Sequence, residues 1–191
     1  MHKILKDDFF ERSTLSVAHE LLGKYLCRKR GRGVEAFMIT EVEAYDGPHD
    51  RASHASRGKT ARNAPMFGGA GVWYVYLVYG MHWMLNIVTG GEDYPAAVLI
   101  RGIEGIEGPA RLTKALGVGK RFNGKQASRA VGLWIEDRGE RVPASRIART
   151  PRIGVDYAGE WAKKPYRFMI SERSERRGRS ERRRKNFLSL L

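Results

Sequence analysis

The segment Gly31-Arg32-Gly33 stands between two runs with the side-chain pattern of β-strands, Tyr25–Arg28 before it and Val34–Tyr45 after it. Glycine tolerates the left-handed backbone of tight turns, so the two runs read as a hairpin. The second arm is long, and whatever the chain folds into must accommodate it. Strict alternation along it puts Val34, Ala36, Met38, Val42 and Ala44 on one face. Phe37, Ile39, Glu41, Glu43 and Tyr45 fall on the other.

Further elements follow the same logic. Ser13 or Thr14 caps a helix through Leu22, which Gly23 ends, and Leu15, Ala18, Leu21 and Leu22 give it one apolar stripe. Residues 46–71 read as one irregular loop, long enough within a small domain to point to function. Val72–Val78, Leu85–Val88 and Ala96–Arg101 read as strands, the last two joined through Gly90-Gly91. Gly108-Pro109 opens a helix through Leu116 that Gly117 closes. Leu133–Glu136, Ile153–Val155 and Tyr166–Ile170 are shorter strand candidates.

With 191 residues and 42% hydrophobic content, one domain with a real core is expected over residues 1–170. Residues 171–191 are low-complexity and lack apolar periodicity, which reads as a disordered basic tail. Seven Arg, one Lys and three Glu give that tail a net charge of +5, so +9 of the total +14 belongs to the body. A basic body favours a polyanionic partner, and the tail is expected to add salt-sensitive, sequence-independent DNA affinity. No basic amphipathic helix carries Trp or Phe on its opposite face and no apolar run reaches membrane-span length, so nucleic acid outranks membrane. The N-terminal segment turns acidic at Asp7-Asp8 before any apolar stretch can act as a signal peptide. The single cysteine, Cys27, forms no internal disulfide and excludes a Cys-rich zinc site. Both features fit an intracellular, reducing compartment.

Chemistry-bearing residues concentrate between Glu41 and Asn86. Glu43 shares its expected strand face with apolar neighbours, and burial raises a carboxylate's pKa toward that of a useful general base. A solvated face with both glutamates paired to arginines fits the same parity. Tyr45 projects beside Glu43 and gives the strand end the look of a pocket wall. Tyr74 and Tyr76 share a face of their strand, while Tyr79 has opposite parity next to Gly80, so Tyr76 can line a pocket while Tyr79 points outward. Core packing with hydroxyls at the edge is the competing reading. His54 can hydrogen-bond a ligand as a neutral group. Asp46, His49, Asp50 and His54 offer donors to a divalent metal, although their spacing matches no closed motif. Arg57, Lys59, Thr60 and Arg62 form a compact stretch suited to phosphates or simply a solvated loop. Asn86 and Arg101 sit at the ends of apolar strands and need partners there.

The order of these residues carries a resemblance. Glu43-Ala44-Tyr45-x-Gly-Pro, Ser53-His54, Thr60-x-Arg62-Asn63-x-x-Met66-Phe67 and Tyr74-Val75-Tyr76-x-x-Tyr79-Gly80 occur in sequence, followed by Asn86. Gly108-Pro109-x-x-Leu112 and Gly159-Glu160-Trp161-Ala162-x-Lys164-Pro165-x-Arg167-Phe168 complete the set. Over roughly residues 5–170 the chain closely resembles the alkyladenine (3-methyladenine, methylpurine) DNA glycosylases. The resemblance implies an α/β (mixed α+β) fold, one domain around a curved antiparallel sheet with short flanking helices. It implies a monomer acting on double-stranded DNA that contains damaged purines, with no metal and no organic cofactor. The location implied is the cytoplasm, at the nucleoid, for a bacterial protein or the nucleus for a eukaryotic one.

Residue by residue, Glu43 matches the general base that deprotonates the attacking water. Arg101 and the Ile153 carbonyl match groups that position that water. Tyr45 and Tyr76 match the faces that sandwich the flipped base, His54 its edge contact, and Asn86 the screen against normal guanine. Tyr79 matches the wedge that fills the gap in the duplex, and Thr60, Arg62 and Met66 fall in the DNA-binding stretch. The Arg-rich run after Ile170 replaces the short strand-and-turn ending that the family usually has. The expected activity is monofunctional: excision of alkylated or deaminated purines without strand cleavage. A non-catalytic DNA-binding protein of the same fold and a metal-dependent nuclease are the competing readings.

Overall fold

The computed structural model of the chain describes residues 2–171. Ten strands occur among them: β1 Lys3–Ile4, β2 Tyr25–Arg30, β3 Gly33–Tyr45, β4 Trp73–Val78, β5 His82–Thr89, β6 Ala96–Ile103, β7 Ile106–Glu107, β8 Leu133–Asp137, β9 Ile147–Thr150 and β10 Arg167–Ile170. They form a single antiparallel sheet in the order β1-β8-β2-β3-β6-β5-β4, with β7 on β6 and with β10 joining β3 to β9. Three short helices accompany it, α1 Asp7–Phe10, α2 Thr14–Leu21 and α3 Pro109–Leu116. The expected mixed architecture around an antiparallel sheet is the one found. The disordered basic tail expected over 171–191 lies, apart from Ser171, outside the described residues.

The hairpin forms where its glycines place it: Arg30 pairs with Gly33, and Gly31 has φ +56°. The long arm departs from strict alternation. Its pairing with β6 shifts register twice, between Ile39 and Glu41 and between Glu41 and Val42, a β-bulge irregularity across which the side chains turn over. Ile39 therefore packs into the core with Val42 and Ala44, instead of sharing a face with Glu41 and Glu43. Ser13 occupies the cap position of α2 without a side-chain cap bond, and the buried Thr14 hydroxyl accepts a hydrogen bond from Thr89 Oγ1 at 3.2 Å.

The expected loop over 46–71 contains two 3-10 turns, His54–Arg57 and Ala64–Phe67. Ile153–Val155 is not a strand, because Gly154 turns the chain at φ +75° into the 3-10 helix Asp156–Lys163. The strand of that region lies earlier, at β9.

The sheet has two unlike faces. Trp73 and Val75 of β4, Leu85 and Ile87 of β5, and Val98 and Ile100 of β6 enter the main core beneath α2 and α3. The alternate residues Tyr74, Tyr76, Met84, Asn86, Ala97, Leu99 and Arg101 face away from that core and line a cavity. The period-2 alternation of three adjacent strands thus divides a stabilising face from a chemical one.

Candidate active site

The cavity has a volume of about 510 Å³, within the range of small-molecule sites. Glu43 is fully buried just behind the lining, bonded to Tyr45, Arg101 and Ile153, which do face the cavity. Oε1 accepts a hydrogen bond from the Ile153 amide at 2.8 Å and faces Arg101 Nε at 3.4 Å. Oε2 accepts from the Tyr45 hydroxyl at 3.0 Å. Burial raises the Glu43 pKa, against the opposing pull of Arg101, the Ile153 amide and the Tyr45 hydroxyl. The carboxyl is therefore poised above the usual range while its ionised form keeps three partners. Burial, reinforced by the neighbouring Glu43 charge, holds the Tyr45 phenol well above its ordinary pKa, so Tyr45 remains a donor to Glu43.

Glu41 has a different task. Its carboxylate accepts from Arg101 Nε at 3.0 Å and also pairs with Arg167 of β10. Arg101 is thus anchored by Glu41 and directed at Glu43. Of the two readings left open by parity, burial applies to Glu43, and pairing with arginines applies to both, Glu43 with Arg101 and Glu41 with Arg101 and Arg167.

Aromatic rings make the walls. Tyr45, Tyr74, Tyr76 and His54 all line the cavity. The His54 and Tyr76 ring centroids are 4.7 Å apart in an edge-to-face arrangement, and His54 Nδ1 lies 2.9 Å from the Tyr74 hydroxyl. Burial, then the Arg62 charge, lowers the His54 pKa, which favours the neutral ring. Burial pushes the Tyr74 phenol up to about 12, leaving its hydroxyl protonated. Asn86 is buried, and its side-chain amide donates to the Tyr74 carbonyl at 3.0 Å, which fixes its orientation against the cavity.

The loop over 58–63 is tied by Asn63, whose side-chain amide donates to the carbonyls of His54 and Gly58. Asn63 Oδ1 accepts from the Thr60 amide at 2.6 Å. Arg62 lies 5.0 Å above the Tyr76 ring and donates to the Leu77 carbonyl. Met66 packs with Ala55, Tyr74, Val88 and Ala97 and lines the cavity.

Tyr79 caps the β4–β5 hairpin, 87% exposed, in the left-handed region at φ +52°. A non-glycine residue there carries strain of roughly 1–2 kcal/mol. Met81, 68% exposed two residues on, extends the same apolar tip. Sequence reasoning does not single it out, though its place beside Gly80 at the turn is a usable signal.

One competing reading loses its basis. The Asp46, His49, Asp50 and His54 set is not a metal site: Asp50 is buried in an ion pair with Arg152, His54 engages Tyr74, and His49 is exposed. Among the described residues no group of three or more His, Cys, Asp or Glu side chains could hold a metal ion. Ile153 gives its amide to Glu43, a contact separate from the role that the resemblance assigns to its carbonyl oxygen. Arg152 itself has no place in the sequence reading. It packs 4.8 Å from the Tyr45 ring and donates to the Ala44 carbonyl at 2.8 Å, bracing the two residues that follow Glu43.

A buried carboxylate of raised pKa behind an aromatic-walled cavity, with an exposed tyrosine at its rim on a basic protein, suits a hydrolase that takes a planar ligand from a polyanion. The family model for methylpurine-DNA glycosylase (MPG) matches residues 8–107 and 104–174. Three relatives provisionally named 3-methyladenine DNA glycosylases are similar over most of their length. One from Methanocella arvoryzae is 45% identical over 185 residues, covering 86% of this chain and 91% of that protein. One from Myxococcus xanthus is 45% identical over 177 residues, covering 88% and 90%, respectively. One from Legionella pneumophila (strain Paris) is 42% identical over 179 residues, covering 90% and 96%. The chain belongs to the methylpurine-DNA glycosylase family, DNA N-glycosylases that remove alkylated purines in base excision repair.

Proposed function

We propose that Glu43 is the general base of this glycosylase and that the cavity beside it receives the flipped purine. The observation that carries the reading is the Glu43 carboxylate, buried, raised in pKa and held by Ile153, Tyr45 and Arg101. Glu43 takes a proton from a water that Arg101 and the Ile153 carbonyl help to position, and the water attacks C1′. An alkylated purine carries positive charge or a weakened glycosidic bond, so the leaving group needs little further help.

Tyr45 and Tyr76 sandwich the base, and His54 contacts its edge. Asn86 excludes the exocyclic amine of guanine, its side chain fixed by the Tyr74 carbonyl. Extrusion of a nucleotide costs a few kcal/mol, less for a damaged pair. Stacking returns about 1–3 kcal/mol per base, so two aromatic faces offset that cost. Tyr79 fills the space the base vacates, while Thr60 and Arg62 approach the phosphates. Residues 1–170 form the glycosylase domain, which works as a monomer on damaged duplex DNA inside the cell. Deaminated purines join alkylated ones as substrates. The product is an abasic site without strand cleavage, since no lysine nucleophile is implied.

The test is base release from duplexes carrying a methylated purine or hypoxanthine, comparing wild type with Glu43→Gln, with and without chelator. Abasic sites from the wild type alone, indifferent to chelator, are expected. Equal release by both proteins would remove Glu43 from the chemistry. Release abolished by chelator would revive the metal-dependent reading, and no release from folded wild type would favour the binding-only reading.

A further inference from the structure

A second concavity lies at the C-terminal end of α3. It encloses about 980 Å³, and Arg28, Lys29, Arg30, Lys114, Arg121 and Lys125 line it with no carboxylate among the lining residues. Arg30 pairs with Glu35 at 3.2 Å, and the other five form no ion pair among the described residues. Arg28 is buried and donates to the carbonyls of Leu116, Lys29 and Gly132. Both Arg28 and Arg121 sit 4.9 Å from the centroid of the Phe122 ring, so one aromatic side chain holds two guanidinium groups in place.

Gathered like charges without counter-charges repel one another, and a polyanion removes that repulsion. Part of the cationic character is accounted for locally: Arg28 and Arg30 satisfy carbonyls in the last turn of α3. That account leaves Lys29, Lys114, Arg121 and Lys125, all exposed, without a counter-charge among the described residues.

Helix α3 connects this cleft to the catalytic cavity. Pro109 at its start lines the cavity, whereas Lys114, Ala115 and Leu116 near its end line the cleft. At a rise of 1.5 Å per residue the two ends lie about 10 Å apart. Arg111 is exposed on the helix between them, so cations continue from the cavity mouth to the cleft.

We propose that this cleft is a second phosphate-binding site, which takes the DNA backbone to one side of the lesion. Its placement relative to the lesion rests on the glycosylase reading, whereas its affinity for duplex does not. It touches phosphate alone, so damaged and undamaged DNA bind it equally.

The experiment compares wild type with Lys114→Gln/Arg121→Gln, two exposed positions away from Glu43, by anisotropy titration of damaged and undamaged duplexes over a range of salt. The log–log salt slope should fall by roughly 0.9 for each phosphate that is no longer neutralised, by the same amount on both duplexes. Single-turnover excision at saturating protein should be unchanged. Shortening the duplex arm on one side of the lesion should bring wild type to the affinity of the variant, while shortening the other arm should not. An unchanged slope with either duplex overturns the proposal, as does a weakening confined to single-stranded RNA or to anionic vesicles. A flattened slope in a protein whose wild type releases no base would sustain the cleft while sinking the glycosylase reading. Base release by a wild type whose slope the variant does not alter would do the reverse.

Discussion

Arg152 and Asp50 form an ion pair in which both side chains have zero exposure, across 102 positions of sequence. The guanidinium meets both carboxylate oxygens, the Oδ1 contact at 2.8 Å, and donates to the Ala44 and Trp161 carbonyls. Asp50 also accepts from the Asp46 and Ala52 amides, so the loop after β3 is folded around this carboxylate. The next residue after Arg152 supplies the amide that holds Glu43. The pair thus ties the loop after β3 to the stretch that sets the general base.

Asp50→Asn keeps the shape of the side chain but leaves Arg152 buried without counter-charge. Removing one member of a buried pair costs about 3–5 kcal/mol, and a loss of stability of that size is expected from denaturant titration. Below its unfolding temperature the variant should also show a higher acidic limb in its pH–rate profile. The Ile153 amide favours the ionised form of Glu43, so weakening that bond raises the carboxyl pKa further. A folded Asp50→Asn protein with the wild-type profile would make the pair purely structural.

Glu43→Gln should abolish base release and stabilise the protein near neutral pH. The sign follows from burial. The folded pKa of Glu43 is raised above the unfolded value, so between the two values the native state binds more protons and stability falls as pH rises. Above the folded pKa the full penalty is present, and below the unfolded value it is gone. A gain of about 1 kcal/mol corresponds to roughly 2–4 °C for a chain of this size. That difference should shrink as pH is lowered through the window, a trend calorimetry at several pH values will show. Catalysis in the wild type runs the other way and is lost as Glu43 becomes protonated. A variant no more stable than wild type at neutral pH would mean that the partners of Glu43 fully offset its burial.

Alternation makes much of the site legible in sequence. Tyr74 and Tyr76 face the cavity because β4 alternates through them, whereas Tyr79 lies past the strand's end and owes its exposure to the left-handed turn. The same rule fails at Ile39, because the bulge in β3 leaves no mark in Ile39-Thr40-Glu41-Val42, which has neither glycine nor proline. Its one trace is across the ladder, at Gly102. Strand β9 escapes notice because Ile147-Ala148-Arg149-Thr150 is short and only half apolar. Local pattern likewise cannot foresee that Asp50 meets Arg152 and not a metal, since that pairing depends on the closed fold. Family resemblance matches residues to roles, but it gives no hint of the Arg152–Asp50 pair.

Tyr79 offers a separation of stability from function. Its left-handed backbone is strained for tyrosine and natural for glycine. Tyr79→Gly should therefore stay within about 1 kcal/mol of wild-type stability, since relieved strain offsets the added freedom of the unfolded chain. The same change removes the exposed ring, so base extrusion should slow while initial duplex binding holds. Stopped-flow fluorescence of a base analogue beside the lesion reads the two steps apart. Equal loss in both steps would remove the wedge role.

Gly102 is where the bulge meets the charge network. It pairs with Glu41, and a Cβ placed on it would lie 3.0 Å from Glu41 Cβ, 3.1 Å from Thr40 Oγ1 and 3.4 Å from Glu41 Oε2. Two of those three atoms belong to the side chain that anchors Arg101, which is the residue before Gly102 in β6. Gly102→Ala should cost about 1–3 kcal/mol, the usual penalty for overpacking. It should also displace Glu41, loosen Arg101 and lower the single-turnover excision rate, with little change in duplex affinity. Glu41→Gln keeps the volume of the residue but weakens its hold on Arg101, so it should reproduce the rate loss without the packing penalty. If Gly102→Ala were destabilised while Glu41→Gln excised base at the wild-type rate, the network would serve the fold alone and Arg101 would reach Glu43 without help from Glu41.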